Sequence, residues 1–167
     1  MTSHFDPAQK IVDRSELQRI LAEARAACGT VVLANGCFDL LHVGHTRYLE
    51  GARRLGDFLV VAINSDRSVR SLKGPGRPLQ SEEDRAEIIA SLDCVGAVLI
   101  FDEPTVDGLL RTFRPDVHAK GTDYTESTVP ERLTVLEYGG RVAIVGDPKR
   151  HSSRNLIADI LNKCGDA

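Results

Sequence analysis

The sequence predicts an α/β fold: an open, parallel, five-stranded sheet with helices on both faces. Five short apolar runs alternate along the chain with segments whose apolar residues recur at helical spacing, which is the pattern of successive βαβ units. The apolar runs do not alternate between apolar and polar residues, as expected for strands buried on both faces of a parallel sheet. A sheet of this Rossmann-like kind binds ligands beyond the carboxyl ends of its strands.

The length and composition fit one globular domain. The chain has 167 residues, of which 42% are hydrophobic and 27% charged, and its formal net charge is −3. We expect residues 1–13 to form a flexible N-terminus and residues 14–167 to form a single domain. The chain shows no basic excess typical of nucleic-acid binding, no apolar run of membrane-spanning length and no N-terminal apolar signal segment.

The cysteines indicate a reducing compartment. Cys28, Cys37, Cys94 and Cys164 show no CxxC spacing, and no paired histidine cluster accompanies them. We therefore expect free thiols in a cytoplasmic protein and no structural zinc site.

The predicted elements follow from periodicity and from helix start and stop signals. Ser15 and Ser81 are the predicted N-caps of the first and third helices. Gly56 is the predicted end of the second helix, and two glycines and two prolines predict a loop over 71–80. The predicted strands are 30–35, 57–64, 97–101, 116–120 and 141–146, and the predicted helices are 14–27, 43–56, 81–93, 105–113, 129–139 and 153–164.

The pattern H-x-G-H directly follows the first predicted strand and opens a helix. Gly36 lets the backbone leave the strand sharply and approach a phosphate. The free amides and the dipole of the new helix favour an anion at this point. His42 and His45 are three residues apart and share a face, with Gly44 leaving space between them. The pattern predicts phosphate binding; the alternatives are two structural histidines, or a metal site that lacks a third nearby ligand.

The motifs GCFDLLHVGH, VVAINSD, SLKGPGRP, EDRAEIIASL, RPDVHAKGTDY and GGRV occur in this order along the chain. The series resembles the cytidylyltransferase-like nucleotidyltransferases and, within them, the adenylyltransferases that make ADP-heptose from heptose 1-phosphate. The resemblance implies the HxGH nucleotidyltransferase fold and transfer of AMP from ATP to a sugar 1-phosphate with release of pyrophosphate, a step toward a lipopolysaccharide precursor. It also implies a homodimer, small-molecule substrates, and Mg²⁺ bound mainly through the phosphates of ATP rather than by a cluster of protein ligands.

The resemblance further implies roles for the matching residues. His42, His45 and Lys73 are the expected catalytic residues, and His45 is expected to stabilise charge in the transition state. The residues expected to bind the nucleotide are Gly36, Cys37, Phe38, His42, His45, Arg85, Lys120, Gly121, Asp123, Ser152 and Ser153. The residues expected to contact the acceptor substrate are Asp39, Asn64, Asp66, Lys73 and Tyr124.

Some of these residues have simpler explanations, and some positions depart from the family pattern. Arg85 could pair with Glu82 or with an acidic residue one turn on, and Cys37 is expected to act through its backbone amide rather than as a nucleophile. Arg154 stands where many relatives have a third hydroxyl residue. His118 stands where relatives usually have an aliphatic residue, and we expect a packed, neutral side chain without a role in the reaction.

The expected chemistry requires no general base. A phosphate monoester is largely dianionic near pH 7, since its second pKa is about 6, so catalysis requires in-line placement and donors for developing charge. The residues leave several functions open: a cytidylyltransferase acting on glycerol 3-phosphate or another phospho-alcohol, an FMN adenylyltransferase, or a non-catalytic nucleotide-binding module. No G-x-G-x-x-G follows the first strand, which argues against a dinucleotide-dependent redox enzyme.

Overall fold

The computed structural model describes residues 6–27, 29–148 and 152–164. Its five strands form one parallel sheet in the order β3-β2-β1-β4-β5. The predicted fold class is therefore confirmed. The order of strands reverses between β1 and β4, and this switch point places a crevice at the carboxyl end of the sheet. The strands are β1 (Val31–Gly36), β2 (Phe58–Asn64), β3 (Ala97–Phe101), β4 (Val117–Gly121) and β5 (Arg141–Val145).

Helices cover both faces of this sheet. The strand β1 alternates its buried side chains between two hydrophobic clusters, because successive residues of a strand point to opposite faces. Val32 packs in a cluster with residues of the second and fourth α-helices, and Val31 packs in a cluster with residues of the first and fifth. The helices are α1 (Arg14–Ala26), α2 (Val43–Arg53), α3 (Asp66–Lys73), α4 (Glu82–Ala90), α5 (Asp107–Phe113), α6 (Arg132–Glu137) and α7 (Ser153–Cys164).

Two local predictions were wrong. The N-cap of α1 is Asp13, whose carboxylate accepts from the Glu16 amide at 2.8 Å, so Ser15 lies inside the helix. The segment after β2 forms α3, which extends to Lys73 and therefore includes residues 71–73 of the predicted loop. The missed signal is Ser65, which caps α3 by accepting from the Ser68 amide at 3.1 Å.

The N-terminal segment is packed against the sheet where the structure describes it. Residues Pro7–Lys10 form a 3-10 helix, and the Val12 amide donates to the Val98 carbonyl of β3 at 2.9 Å. The flexibility expected over 1–13 stays a prediction, and the first five of these residues lie outside the described part. Cys28 also lies outside it, and the described cysteines Cys37, Cys94 and Cys164 are free thiols. Among the described residues, no helix is long and apolar enough to cross a bilayer.

Candidate active site

A cleft of ≈ 990 Å³ lies at the carboxyl ends of β1, β4 and β5 and is bordered by the starts of α2 and α7 and the end of α3. A volume of this size lies in the range of small-molecule sites. Most of the residues expected to bind substrates line it, so the fold brings together segments that are far apart in sequence. They are Gly36, Cys37, Phe38, Asp39, His42, His45, Lys73, Lys120, Gly121, Asp123, Tyr124, Ser152 and Ser153.

The two histidines of H-x-G-H form a stacked pair at the N-terminus of α2. The His42 ring caps the helix, because its Nδ1 accepts from the Gly44 amide at 3.2 Å. The His42 amide in turn donates to Nδ1 of His45 at 3.4 Å. The two ring centroids are 3.9 Å apart, and the ring planes differ by 23°. Since each Nδ1 accepts a backbone hydrogen, the neutral form of each ring carries its hydrogen on Nε2 and can donate it to an oxygen.

His45 is a neutral ring in the unliganded protein. Burial, together with the nearby His42 and Lys73, lowers the pKa of His45 to about 4. The imidazole therefore offers an N–H donor without a charge at pH 7. A phosphate placed against it would favour the charged form, because an opposite charge close by raises the pKa of a base.

The loop between β1 and α2 has a constrained backbone. Phe38 and Leu40 have φ values of 50° and 56°, in the left-handed region that non-glycine residues seldom adopt. The buried Phe38 ring packs edge-on against His45, with centroids 5.4 Å apart. A side chain at Gly36 would lie 3.1 Å from this ring. A side chain at position 36 would therefore require the Phe38 ring to shift by a few tenths of an ångström.

Asp39 holds the loop between α3 and α4 (residues 74–81, the Gly/Pro loop) against the loop between β1 and α2 (residues 37–42, the H-x-G-H loop). Its fully buried carboxylate accepts from Arg77 at 2.7 Å and from the amides of Leu79 and Gln80 at 2.9 and 3.2 Å. Burial alone would raise the pKa of Asp39, but these hydrogen bonds hold it below its ordinary value. The Asp39 carboxylate, which was expected to contact the acceptor, is thus already hydrogen-bonded to other residues of the protein. The Asp39 carbonyl also accepts from the Ser153 hydroxyl at 2.5 Å, which ties the start of α7 to the same loop.

Arg85 does not reach the cleft, and the expectation that it contacts a phosphate is corrected. Its side chain is fully buried. The guanidinium donates to the carbonyls of Gln80, Cys37 and Asn64 at 3.1, 2.6 and 2.8 Å, and it pairs with Asp66 at 2.7 Å. Arg85 therefore joins the ends of β1 and β2 to α3 and to the segment before α4. The suggested pairing with Glu82 is replaced by the pairing with Asp66.

Asn64 and Asp66, expected to contact the acceptor, are also absent from the cleft lining among the described residues. The Asn64 amide donates to Ser68 at 3.0 Å, and Asp66 is engaged by Arg85. The neighbouring Cys37 does line the cleft. Burial raises the pKa of its thiol, although Lys73 and Arg85 oppose this. The thiol is therefore protonated at pH 7, in agreement with a role for Cys37 through its backbone.

The two lysines at the cleft are placed differently. Lys73 ends α3 at the edge of the cleft, next to the Gly/Pro loop. Lys120 ends β4 at its floor, where it pairs with Glu131 at 3.3 Å and lies 5.1 Å from the centre of the Tyr124 ring. Both side chains of this ion pair are only 9% exposed. Lys73 is thus an exposed cation at the edge of the cleft, and Lys120 is a buried cation held by an ion pair.

The start of α7 combines a cap with cleft residues. The Ser152 hydroxyl accepts from the Asn155 amide at 3.1 Å, as an N-cap does. Ser152, Ser153 and Arg154 all line the cleft, so this helix presents a second N-terminus to it. The N-cap role and phosphate binding are compatible at a helix start.

Sequence reasoning gave no role to three residues that contribute to the cleft. Arg77 holds Asp39. Tyr48 follows His45 by one turn and donates to the Ala119 carbonyl at 2.8 Å, which joins α2 to β4. Asn35, the residue before Gly36, lines the cleft and contacts β4. The role of Tyr48 could have been inferred from its position one helical turn after His45. The contacts of Arg77 and Asn35 join residues far apart in the sequence, so no local sequence pattern predicts them.

The sequence model of the cytidylyltransferase-like family matches residues 33–156, which include the H-x-G-H loop and the rest of the cleft. This chain belongs to the cytidylyltransferase-like family. It is a nucleotidyltransferase, and the alternative of a non-catalytic binding module is set aside.

Curated relatives extend the comparison. The chain is 51% identical over 154 residues to "Bifunctional protein HldE" of Syntrophotalea carbinolica, an alignment that covers 92% of this chain and 31% of the relative. It is 45% identical over 163 residues to the protein of the same name from Trichlorobacter lovleyi, covering 98% of this chain and 33% of that one. The cytidylyltransferase-like chain therefore spans about a third of the length of these relatives.

A solved structure shows the same fold. The crystal structure of the lipopolysaccharide core biosynthesis protein from Thermoplasma volcanium matches with a TM-score of 0.64 and 26% sequence identity. The match covers 72% of this chain and 99% of that chain. The nucleotidyltransferase fold assigned from the family is thus supported by both sequence and structure.

Proposed function

We propose that this nucleotidyltransferase moves AMP from ATP to a sugar 1-phosphate, specifically heptose 1-phosphate, and so forms ADP-heptose and pyrophosphate. The observation that carries the proposal is the stacked pair of His42 and His45 at the N-terminus of α2, inside the cleft. The ordered motifs resemble the ADP-heptose-forming adenylyltransferases. The names of the relatives, HldE and a lipopolysaccharide core biosynthesis protein, support the same substrate class.

The chemistry follows from the donors around the cleft. A phosphate oxygen of the acceptor attacks the α-phosphorus of ATP, the new P–O bond forms, and the bond to the β-phosphate oxygen breaks as pyrophosphate leaves. The Nε2–H donors of His42 and His45, at the positive end of the α2 dipole, are suited to the negative charge that develops on these oxygens. Preorganised donors of this kind typically contribute about 3–4 kcal/mol each to transition-state stabilisation.

Lys73 is placed to bind the pyrophosphate leaving group. It lies at the end of α3, where Gly74 and Gly76 follow with φ values of 89° and 82°, a conformation that glycine adopts without strain. The later part of this loop is held by Asp39 through Leu79 and Gln80. Lys73 therefore lies at the start of a loop that is anchored at its far end, and we propose that it binds the β- and γ-phosphates.

We propose that Mg²⁺ enters with ATP, bound through phosphate oxygens. Among the described residues, no group of three or more His, Cys, Asp or Glu side chains converges to hold a metal ion, and the carboxylate of Asp39 is already engaged. Mg²⁺ in nucleotide sites commonly keeps several waters and takes few protein ligands. When bound, the ion would neutralise charge on the triphosphate, while the positioning of substrates remains with the protein.

A substrate panel tests the proposal. Purified protein is given ATP or CTP together with heptose 1-phosphate, glycerol 3-phosphate or FMN, and pyrophosphate release is followed. We expect the highest kcat/KM for ATP with heptose 1-phosphate, by at least roughly ten-fold, because a site built to hydrogen-bond a substrate rejects analogues that leave its polar groups unpaired. Faster turnover of CTP with glycerol 3-phosphate, or of ATP with FMN, would reject the proposed substrates while keeping the reaction type.

A further inference from the structure

A polar cluster joins the ends of β1 and β4 at the floor of the cleft. The Oδ1 atom of Asn35 lies 3.3 Å from the Lys120 ammonium and 3.1 Å from Nε2 of His118. Lys120 also pairs with Glu131, the residue that precedes α6, at 3.3 Å. Asn35 and Lys120 line the cleft, whereas His118 is fully buried behind them. The cluster sits where the order of strands reverses, which is where open α/β sheets bind ligands.

The contacts fix the orientation of the Asn35 amide. An ammonium group has only hydrogens to offer, so the atom of Asn35 that faces Lys120 must be the carbonyl oxygen. The Nε2 atom of His118, 3.1 Å from the same oxygen, must then carry a hydrogen and donate it. The amide Nδ2, with its two hydrogens, is the polar end of Asn35 that these contacts do not use. Asn35 therefore presents a hydrogen-bond donor to the cleft.

His118 keeps this orientation over the working range of pH. Burial, reinforced by the nearby Lys120, lowers the pKa of His118 to about 3. The ring stays neutral, with its one hydrogen on Nε2, and its Nδ1 has no hydrogen-bond partner among the described residues. An aliphatic residue at position 118 would leave the Asn35 carbonyl one donor short.

The net charge of the cluster indicates which kind of ligand group it can bind. The ammonium of Lys120 is compensated by the carboxylate of Glu131, and both side chains are only 9% exposed. The pair adds little net charge, so this corner of the cleft is less suited to a phosphate than the corner formed by His42, His45 and Lys73. A neutral group with an acceptor oxygen, such as a hydroxyl of a sugar, matches the Asn35 donor.

We propose that Asn35, oriented by Lys120 and His118, is the specificity-determining contact with a hydroxyl group of a sugar ring bound in the cleft. This inference rests on the proposed transfer of AMP to a sugar 1-phosphate. Two sugar rings then enter the cleft: the ribose of ATP and the ring of the acceptor. Their shared chemistry is a hydroxyl oxygen that accepts from Nδ2.

The test compares sugars with and without single hydroxyls. Calorimetric titrations measure the Kd of ATP, 2′-deoxy-ATP and 3′-deoxy-ATP, and of sugar 1-phosphates that lack one hydroxyl each, for wild type and Asn35→Leu. We expect the variant to bind the fully hydroxylated ligand roughly ten-fold more weakly, as for one lost neutral hydrogen bond, and to bind one deoxy analogue as wild type does. The deoxy analogue whose affinity the substitution leaves unchanged identifies the hydroxyl that Asn35 contacts, and so the ring, ribose or acceptor. An equal loss for every ligand, or no loss for any, would overturn the proposal.

A second variant guards against loss of the fold. Asn35→Asp keeps an acceptor for Lys120 and His118 but replaces the amide donor by a second acceptor. We expect it to bind a deoxyfluoro analogue, which can accept but not donate, at least ten-fold more weakly than wild type does. Asn162→Asp, the same change on the exposed face of α7, is the matched control and should leave all ratios unchanged. These binding measurements do not depend on whether heptose 1-phosphate is turned over. Whether heptose 1-phosphate is the substrate is decided separately, by the substrate panel.

Discussion

His45 enters the cleft as a neutral donor because burial, His42 and Lys73 all lower its pKa, to about 4. The backbone fixes its tautomer, since the His42 amide occupies Nδ1. A neutral imidazole with its hydrogen on Nε2 stabilises an oxygen that gains negative charge, and it requires no proton transfer in the step. This agrees with a nucleophile that is already ionised near pH 7.

Replacing His45 tests this role. We expect His45→Ala to keep the fold and to lower kcat for pyrophosphate release by roughly 10²–10³-fold, the usual effect of removing one preorganised donor. Circular dichroism and thermal unfolding check the fold, and Thr46→Ala, the next residue along α2, is the control. Turnover within a few-fold of wild type would show that His45 is not a catalytic residue.

Arg85 acts between elements rather than on a substrate. Its guanidinium joins the carbonyls that end β1 and β2 to Asp66 of α3. The partners Cys37 and Asn64 lie 48 and 21 residues away from Arg85 in the sequence. No local sequence pattern therefore predicts these contacts. The expectation that Arg85 contacts a phosphate was wrong, because the packing of these elements directs its charge into the protein.

We expect Arg85→Lys to lower the free energy of unfolding by about 1–3 kcal/mol, because a lysine cannot reproduce the fork of donors and leaves buried acceptors unpaired. Chemical denaturation measures this loss, and Arg54→Lys, at a side chain 80% exposed, should change stability by less than about 0.5 kcal/mol. Unchanged stability together with a raised KM for ATP would instead indicate a direct phosphate contact.

The elements that could be predicted are those with a local cause. The five strands and most helices follow from apolar periodicity, and the H-x-G-H loop follows from a glycine turn before a helix start. The helix α3 was missed because its residues read as polar and its capping signal, Ser65, was not weighed. Asn64 and Asp66 were expected to contact the acceptor because of the family resemblance, but Arg85 and Ser68 hold them away from the cleft.

At the scale of the whole molecule, the buried His118 makes the free energy of unfolding depend on pH. His118 lies in β4 between Asn35 and the interior, and burial with Lys120 nearby lowers its pKa to about 3. The unfolded chain binds a proton at His118 as the pH falls below its ordinary value of about 6.5, whereas the folded protein does not. The unfolded state thus binds more protons between about pH 6.5 and pH 3, and stability falls with falling pH in this window.

We therefore expect the free energy of unfolding of wild type to fall more steeply than that of His118→Leu between pH 6.5 and pH 4. The difference in slope should approach ~1.4 kcal/mol per pH unit, the value for one proton. Urea denaturation at several pH values measures both slopes, and comparing slopes removes any constant loss caused by repacking around the new leucine. Parallel curves would show that His118 titrates alike in both states, and that its ring does not remain a neutral donor to Asn35 across this range.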